Sequence, residues 1–262
     1  MNAKSPIPCL VLSLLLVLAV GLSPAFAGAK LVVTKVSGPP EAYLNQTISV
    51  SCTVKNKGDE ASGASNVRLY LSRDKTINPS TDSLLKKVAF ASGLVPGESR
   101  KVTIKIAVPN SWLDGLAGDY YFGAVVAASK KASLNKVTML RYKDNGDGTV
   151  SDFKTGLRWQ QSDDGIKRSW SEAITYCTDL EFGGHDDWVL PPMEVLATIV
   201  DYTRYDPGCD PVFDCRSSSY WSSSTGVADP DGAWGVGFDG GHVDAGNKSY
   251  NDLYVRCVRS GP

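Results

Sequence analysis

Histidine is almost missing from this sequence: its 262 residues hold 2, His185 and His242. Neither an HExxH nor a GxSxG motif occurs, so the usual zinc-peptidase and nucleophile-elbow chemistries are not expected. No cysteines stand at zinc spacing beside either histidine. Long apolar runs are also scarce. After Cys9–Leu22 no stretch is apolar enough to cross a bilayer, so no transmembrane anchor is expected. Net charge is close to absent, with 27 Lys/Arg against 28 Asp/Glu. A nucleic-acid partner is not expected either, because the C-terminal half is strongly acidic and the chain reads as exported.

What is present begins with an expected leader. Lys4 supplies a positive start, Cys9–Leu22 is apolar, and Ala25-Phe26-Ala27 is a small-residue cleavage site. Cys9 opens the apolar run instead of following it, which places it poorly for lipid attachment. The reading is residues 1–27 as signal peptide and Gly28–Pro262 as an exported protein, secreted, periplasmic or at the cell surface. Export permits disulfides. Without Cys9, five cysteines remain: Cys52, Cys177, Cys209, Cys215 and Cys257.

The charge is unevenly spread. Gly28–Leu140 carries 15 basic and 8 acidic residues, whereas Arg141–Pro262 carries 11 and 20. Five of the 6 tryptophans and four of the five cysteines after the leader also lie in the second half. A joint shift in charge, tryptophan and cysteine predicts two domains of ordinary size. We place the first at 28–128, a polar linker with Lys130, Lys131 and Lys136 at 129–140, and the second at 141–262.

The first domain alternates. Ile48, Val50, Cys52 and Val54 share one face; Val67, Leu69 and Leu71 repeat the pattern, as do Val102, Ile104, Ile106 and Val108. Turns at Lys57-Gly58-Asp59 and Pro96-Gly97-Glu98 separate the runs, which predicts an all-β immunoglobulin-like sandwich. Cys52 alternates with the core set and is expected to be a buried, reduced thiol. The pieces VKNKG (Val54–Gly58), VRLYLSRD (Val67–Asp74) and LVPGES (Leu94–Ser99) resemble the CARDB family, the bacterial cell-adhesion-related module. That resemblance implies a spacer or interaction domain. Asp74 and Asp82 are read as residues of a solvated loop.

The second domain is organised around Ser169–Pro191. Ser169 and Glu172 form a capping box. Trp170, Ala173, Ile174 and Cys177 fall on one helical face, so Cys177 points inward. Gly183-Gly184 ends that helix and Trp188–Leu190 begins a short strand. Asn145-Gly146-Asp147-Gly148 predicts a hairpin. EF-hand spacing would need oxygen donors where Gly146 and Gly148 stand, which leaves Asp144, Asp147 and Asp152 as the only hint of a cation there. Met193, Leu196, Ala197 and Val200 predict a second helix, Trp234–Asp244 a hairpin, and Leu253–Val258 a closing strand. Tyr202–Asp231 has no period.

DNGDGTVSDFKTGLRWQ, SWSEAITYC, DWVLP, YWSSS, AWGVGFDGG and YVRCVR resemble, in order, the DUF1566 family, which corresponds to the C-terminal domain of the Legionella collagen-like adhesin. The resemblance implies an α+β C-type-lectin-like domain, distantly similar to formylglycine-generating enzymes, and recognition of glycans or glycosaminoglycans at cell surfaces. Pro192 departs from the family's usual cap. The EPN, QPD and WND motifs of calcium lectins do not occur, and no cofactor is expected; calcium is the one ion left open.

Four cysteines in this half permit three connectivities. Inward-facing Cys177 and Cys257, which shares a face with Val255, are expected to pair, and so are Cys209 and Cys215. Long aperiodic segments carry function disproportionately, so the ligand site is placed in Tyr202–Trp234. Tyr205, Tyr220, Trp221 and Trp234 offer flat faces, Asp206, Asp229 and Asp231 acceptors, and Arg204 and Arg216 positive charge. Tyr205 and Asp206 lead that set, because Trp221 and Trp234 also read as core residues on strands, Trp221 more so than as a ligand contact. Catalytic and metal-binding residues are not assigned. The expected function is non-catalytic adhesion or recognition of a glycan or cell-surface protein; the acidic half favours neutral glycans or protein over sulfated chains. The alternatives are a structural envelope protein and an enzyme of the formylglycine-generating type. Oligomeric state is not readable.

Overall fold

A computed structural model describes residues 28–90, 93–108, 118–127, 133–226, 229–249 and 253–261. The expected leader lies outside them. The alternating runs of the first domain become β1 (Leu31–Ser37), β2 (Glu41–Tyr43), β3 (Thr47–Asn56), β4 (Ser65–Ser72), β5 (Ser83–Phe90), β6 (Ser99–Ala107), β7 (Gly118–Val126) and β8 (Ser133–Leu140). They form two sheets, β1-β3-β6 and β2-β8-β7-β4-β5. Period-two sequences put every second side chain inward, and Val50, Cys52, Val54, Val67, Leu69 and Phe122 are fully buried between the sheets. Cys52 is unpaired, and burial pushes its thiol up to about 11.

The linker expected at 129–140 is corrected over its described part. Residues 133–140 are β8, paired along β7 from Gly118↔Met139 to Ala124↔Ser133. Val137 and Met139 face the core, while Lys136 points out and meets Asp119 at 2.7 Å. Lysine-rich composition hid a half-buried strand whose inward positions are apolar. The first domain therefore runs to Leu140, and the second abuts it. Phe153 stacks on Tyr43 with ring centroids 4.9 Å apart, and the Asn45 side-chain amide donates to the Phe153 carbonyl at 2.9 Å.

The second domain contains β9 (Tyr142–Asp144), β10 (Thr149–Asp152), β11 (Leu157–Gln160), α1 (Trp170–Thr178), α2 (Met193–Leu196), β12 (Ser219–Thr225), β13 (Gly232–Gly237), β14 (Val243–Asn247) and β15 (Val258–Ser260). Its sheets are β15-β11-β10-β9 and β12-β13-β14. The turn aspartates serve their own hairpin: Asp144 accepts from the Gly146 amide at 2.8 Å and Asp147 from the Thr149 amide at 3.0 Å. Asp152 is buried and takes two bonds from Arg141, at 3.0 and 2.6 Å. The capping box closes α1, with Glu172 accepting from the Ser169 amide and hydroxyl at 2.9 and 2.7 Å.

Both expected disulfides are formed, Cys177–Cys257 and Cys209–Cys215. Three regular elements are shorter than the sequence predicts. Trp188–Leu190 makes only the bridge Val189↔Val258. The second helix is one α-turn followed by a 3-10 turn, Ala197–Ile199, with Val200 extended. The last strand begins at Val258, because the preceding residues bond elsewhere: Tyr254 to Ser219 and Trp221, Cys257 to the Gln160 side chain.

Candidate functional site

The aperiodic segment is held more tightly than its sequence implies. Residues 201–208 form a loop closed at its base by the Val200↔Cys209 bridge and by the Asp201 amide donating to the Gly208 carbonyl at 2.9 Å. Inside it the Asp201 carboxylate accepts from the Thr203 amide and hydroxyl and pairs with Arg204 at 3.2 Å. Burial pushes the Asp201 carboxyl up, but the Thr203 donors and Arg204 outweigh it and hold it below the usual carboxylate range. Two more bonds fasten the loop to the turn after β13. The Asp206 amide donates to the Asp239 carbonyl at 3.0 Å and the Gly208 amide to the Phe238 carbonyl at 2.6 Å.

This anchoring presents two tyrosines to solvent, Tyr202 at 72% and Tyr205 at 79% exposure. Glycine in the facing turn makes their positions available. A Cβ on Gly241 would stand 2.7 Å from the Tyr202 ring, and its φ of +82° disfavours other residues. The Tyr205 ring edge lies over Gly240, where a Cβ would meet it at 3.5 Å. Next in the chain after that glycine pair, the His242 imidazole stands between two carboxylates, Asp239 at 3.2 Å and Asp244 at 3.3 Å. Asp206 is exposed and left-handed, at φ 57°. The cluster therefore joins flat apolar faces to hydroxyl, carboxylate and imidazole groups, the mixture that holds a polar ligand with ring faces.

The remaining sequence-predicted residues are not all brought here. Arg204 shares the loop but is paired with Asp201. Arg216 pairs with Asp163 at 2.8 Å and lies over the Tyr254 ring. Tyr220 is fully buried and donates to the same Asp163; burial is the main reason its hydroxyl is pushed up to about 12. Trp221 is also buried, its indole donating to the Arg168 carbonyl at 2.8 Å. These two rings are core, so neither offers a face to a ligand. Asp229 and Asp231 precede β13 near Lys248, whereas Tyr205 packs beyond its other end. Strand geometry puts those two ends about 20 Å apart. Trp234 is half-buried on β13 itself, opposite Ala245.

Sequence reasoning missed Tyr202, the Gly240-Gly241 contact surface and the Asp239–His242–Asp244 cluster. The Gly-Gly pair next to histidine was visible, but which loop would pack on it was not. A second hollow, of about 550 Å³, opens over Glu181–Asp186. There His185 is engaged by Arg158 at 2.8 Å. No group of three His, Cys, Asp or Glu side chains placed to hold a metal occurs among the described residues. Nor is any helix among them long and apolar enough to cross a membrane.

Two family matches cover the described domains: CARDB over residues 28–133 and the Lcl C-terminal domain over residues 148–259. Among solved structures, the chain is similar to the CARDB domain of a Pyrococcus furiosus protein in complex with di-metal ions. Identity is 19%, coverage 42% of this chain and 93% of that one, and the TM-score 0.32. It is also similar to a β-glucosidase from Erythrobacter marinus at 20% identity and TM-score 0.33, covering 43% of this chain and 16% of the enzyme. A mutant β-glucosidase from Listeria innocua in complex with laminaribiose gives 24%, 0.31, 43% and 16%. The shared part is a small fraction of those enzymes, so no activity follows from them. No curated protein matches the chain.

Proposed function

We propose that this tandem, a CARDB domain followed by an Lcl C-terminal domain, is an exported, non-catalytic adhesion protein that recognises a surface ligand through its second domain. Two disulfides and an adhesion-related domain pair agree with an extracellular setting. The C-type-lectin-like plan is part of this reading, supported by a disulfide that ties the first helix to the residue before the last strand. The first domain acts as the spacer.

One observation carries the site: Tyr202 and Tyr205 stand exposed while their loop is pinned to the Gly240-Gly241 turn. Exposed aromatic rings on an unanchored loop would lose freedom on binding; here most of that loss is already incurred in folding. The ligand that fits is a neutral saccharide, with apolar ring faces for the tyrosines and hydroxyls for Asp206, Asp239 and Asp244. The experiment is a glycan array of Gly28–Pro262, with and without EDTA, followed by the Tyr202→Ala/Tyr205→Ala variant on every saccharide found. Loss of binding with unchanged thermal unfolding supports the site; unchanged affinity in the folded variant places it elsewhere.

A further inference from the structure

The outer face of the β1-β3-β6 sheet is a second surface with a distinct chemistry. None of these strands contains Asp or Glu. Their registers put Lys35 beside Thr53 and Thr53 beside Lys101, with Lys55 and Lys105 farther along the same face. Lys86 reaches over the edge from β5 and donates to the Lys105 carbonyl at 3.0 Å. The other outward positions are serine, threonine, Val32 and Ala107. None of the five lysines meets a carboxylate among the described residues. Glu98, at the sheet's end, is already paired with Arg100.

We propose that this lysine-and-hydroxyl face binds a linear acidic polysaccharide, giving the protein a second, electrostatic contact besides the tyrosine site. The face is roughly 30 Å long and 10–15 Å wide. That is smaller than the ~800 Å² per partner of a stable protein interface, and it has no aromatic or arginine anchor. Isolated ammonium groups separated by hydroxyls suit a chain of spaced anionic groups and hydroxyls lying along the strands. The attraction is local, because the whole chain has a formal net charge of −1.

The test measures binding of Gly28–Pro262 to immobilised heparin and polygalacturonate across a salt series. Neutral dextran and vesicles containing phosphatidylglycerol serve as comparisons. The proposal expects saturable binding to at least one acidic chain and none to dextran. Lys101→Ser/Lys105→Ser should weaken it by about tenfold or more and make the salt slope shallower by roughly one to two. Lys57→Ser/Lys75→Ser, an equal charge change off this face, should leave it unchanged, as should Tyr202→Ala/Tyr205→Ala. Lys101→Arg/Lys105→Arg should retain it. Equal losses in the two serine pairs would make the effect net charge alone and overturn the proposal. So would absence of binding to both acidic chains, or stronger binding to the vesicles through the same lysines.

Discussion

The first domain buries one continuous cluster, from Leu31 to Met139, between two sheets, and its single described cysteine is unpaired. The second splits its interior into two clusters and adds two disulfides and a fully buried arginine, Arg256. That arginine donates to the carbonyls of Gln160, Gln161 and Asp214, between 2.5 and 2.8 Å. The contrast is one of means. Where side chains alternate, strand pairing satisfies the backbone and the core follows. Where the chain is irregular, cross-links and side-chain donors must do both.

Separating the domains by their cross-links should give the largest effect. Cys177–Cys257 closes 80 residues of sequence. Replacing both by alanine is expected to cost the second domain about 4–5 kcal/mol in the chain-entropy description, and replacing Cys209 and Cys215 about 2 kcal/mol. Denaturant unfolding followed by domain-specific hydrogen exchange would check this. The first domain should keep its protection in both variants; if it falls equally, the domains are one cooperative unit.

Arg256→Leu comes next. The substitution keeps apolar bulk near Phe213 and Tyr220 but leaves the Gln160, Gln161 and Asp214 carbonyls without their donors. A loss of about 3 kcal/mol is expected, confined to the second domain. A change below about 1 kcal/mol would mean that water replaces the guanidinium and that the arginine is not what holds the irregular segment.

The domains should also differ in how pH weakens them: the first in alkali through Cys52, the second in acid through its carboxylates and, above about pH 10, through the raised Tyr220 hydroxyl as well. Cys52 has its thiol raised from 9.0 to about 11 by burial. A raised acid favours folding fully below its unfolded value and loses that contribution as pH climbs toward the folded one. The first domain should therefore weaken by about 3 kcal/mol between roughly pH 9 and 11, and Cys52→Ala should remove that slope. The second domain holds lowered carboxylates. Asp147 is lowered chiefly by the Thr149 hydroxyl; for Asp163, burial works the other way but Tyr220, Arg216 and the Gly165 amide outweigh it. These contributions are present above about pH 4, the ordinary carboxylate value, and disappear as pH falls through the lowered values. Parallel acid and alkaline titrations of both domains would sharpen or remove the contrast.

Legibility in the sequence follows the same division. Alternation located β3, β4 and β6 of the first domain, the helical period located α1 and the inward Cys177, and the Ser169–Glu172 spacing located the capping box. β8 was missed, because lysines at 130, 131 and 136 outweighed the inward Val137 and Met139. In the second domain the Cys177–Cys257 disulfide was readable from facing and Cys209–Cys215 from closeness in the chain, but regular structure was overestimated at Met193–Val200 and Leu253–Cys257. Those segments are apolar with the right period, yet their backbone groups bond to irregular neighbours that no periodicity encodes. Tyr205 was readable as an exposed ring in an aperiodic loop. Tyr202 and the glycine turn were not, because their association depends on a contact between segments about forty residues apart in sequence.

The smallest stability effect is expected where binding should change most. Tyr202 and Tyr205 are largely solvated, and their loop is fastened by backbone bonds from Asp201, Asp206 and Gly208 that do not use the rings. Replacing both by alanine removes little buried area, so unfolding should shift by no more than about 0.5 kcal/mol. Trp221→Ala, by contrast, empties a fully buried position and breaks the indole bond to Arg168, which should cost about 3–5 kcal/mol. Gly241→Ala lies between them, since the methyl would collide with the Tyr202 ring in a left-handed backbone. A cost of about 1–3 kcal/mol is expected there, together with displacement of the ring. Measured side by side, the three variants separate recognition from folding. If the double tyrosine variant destabilises as much as Trp221→Ala, the rings belong to the core of the second domain and the exposed platform is not a binding surface.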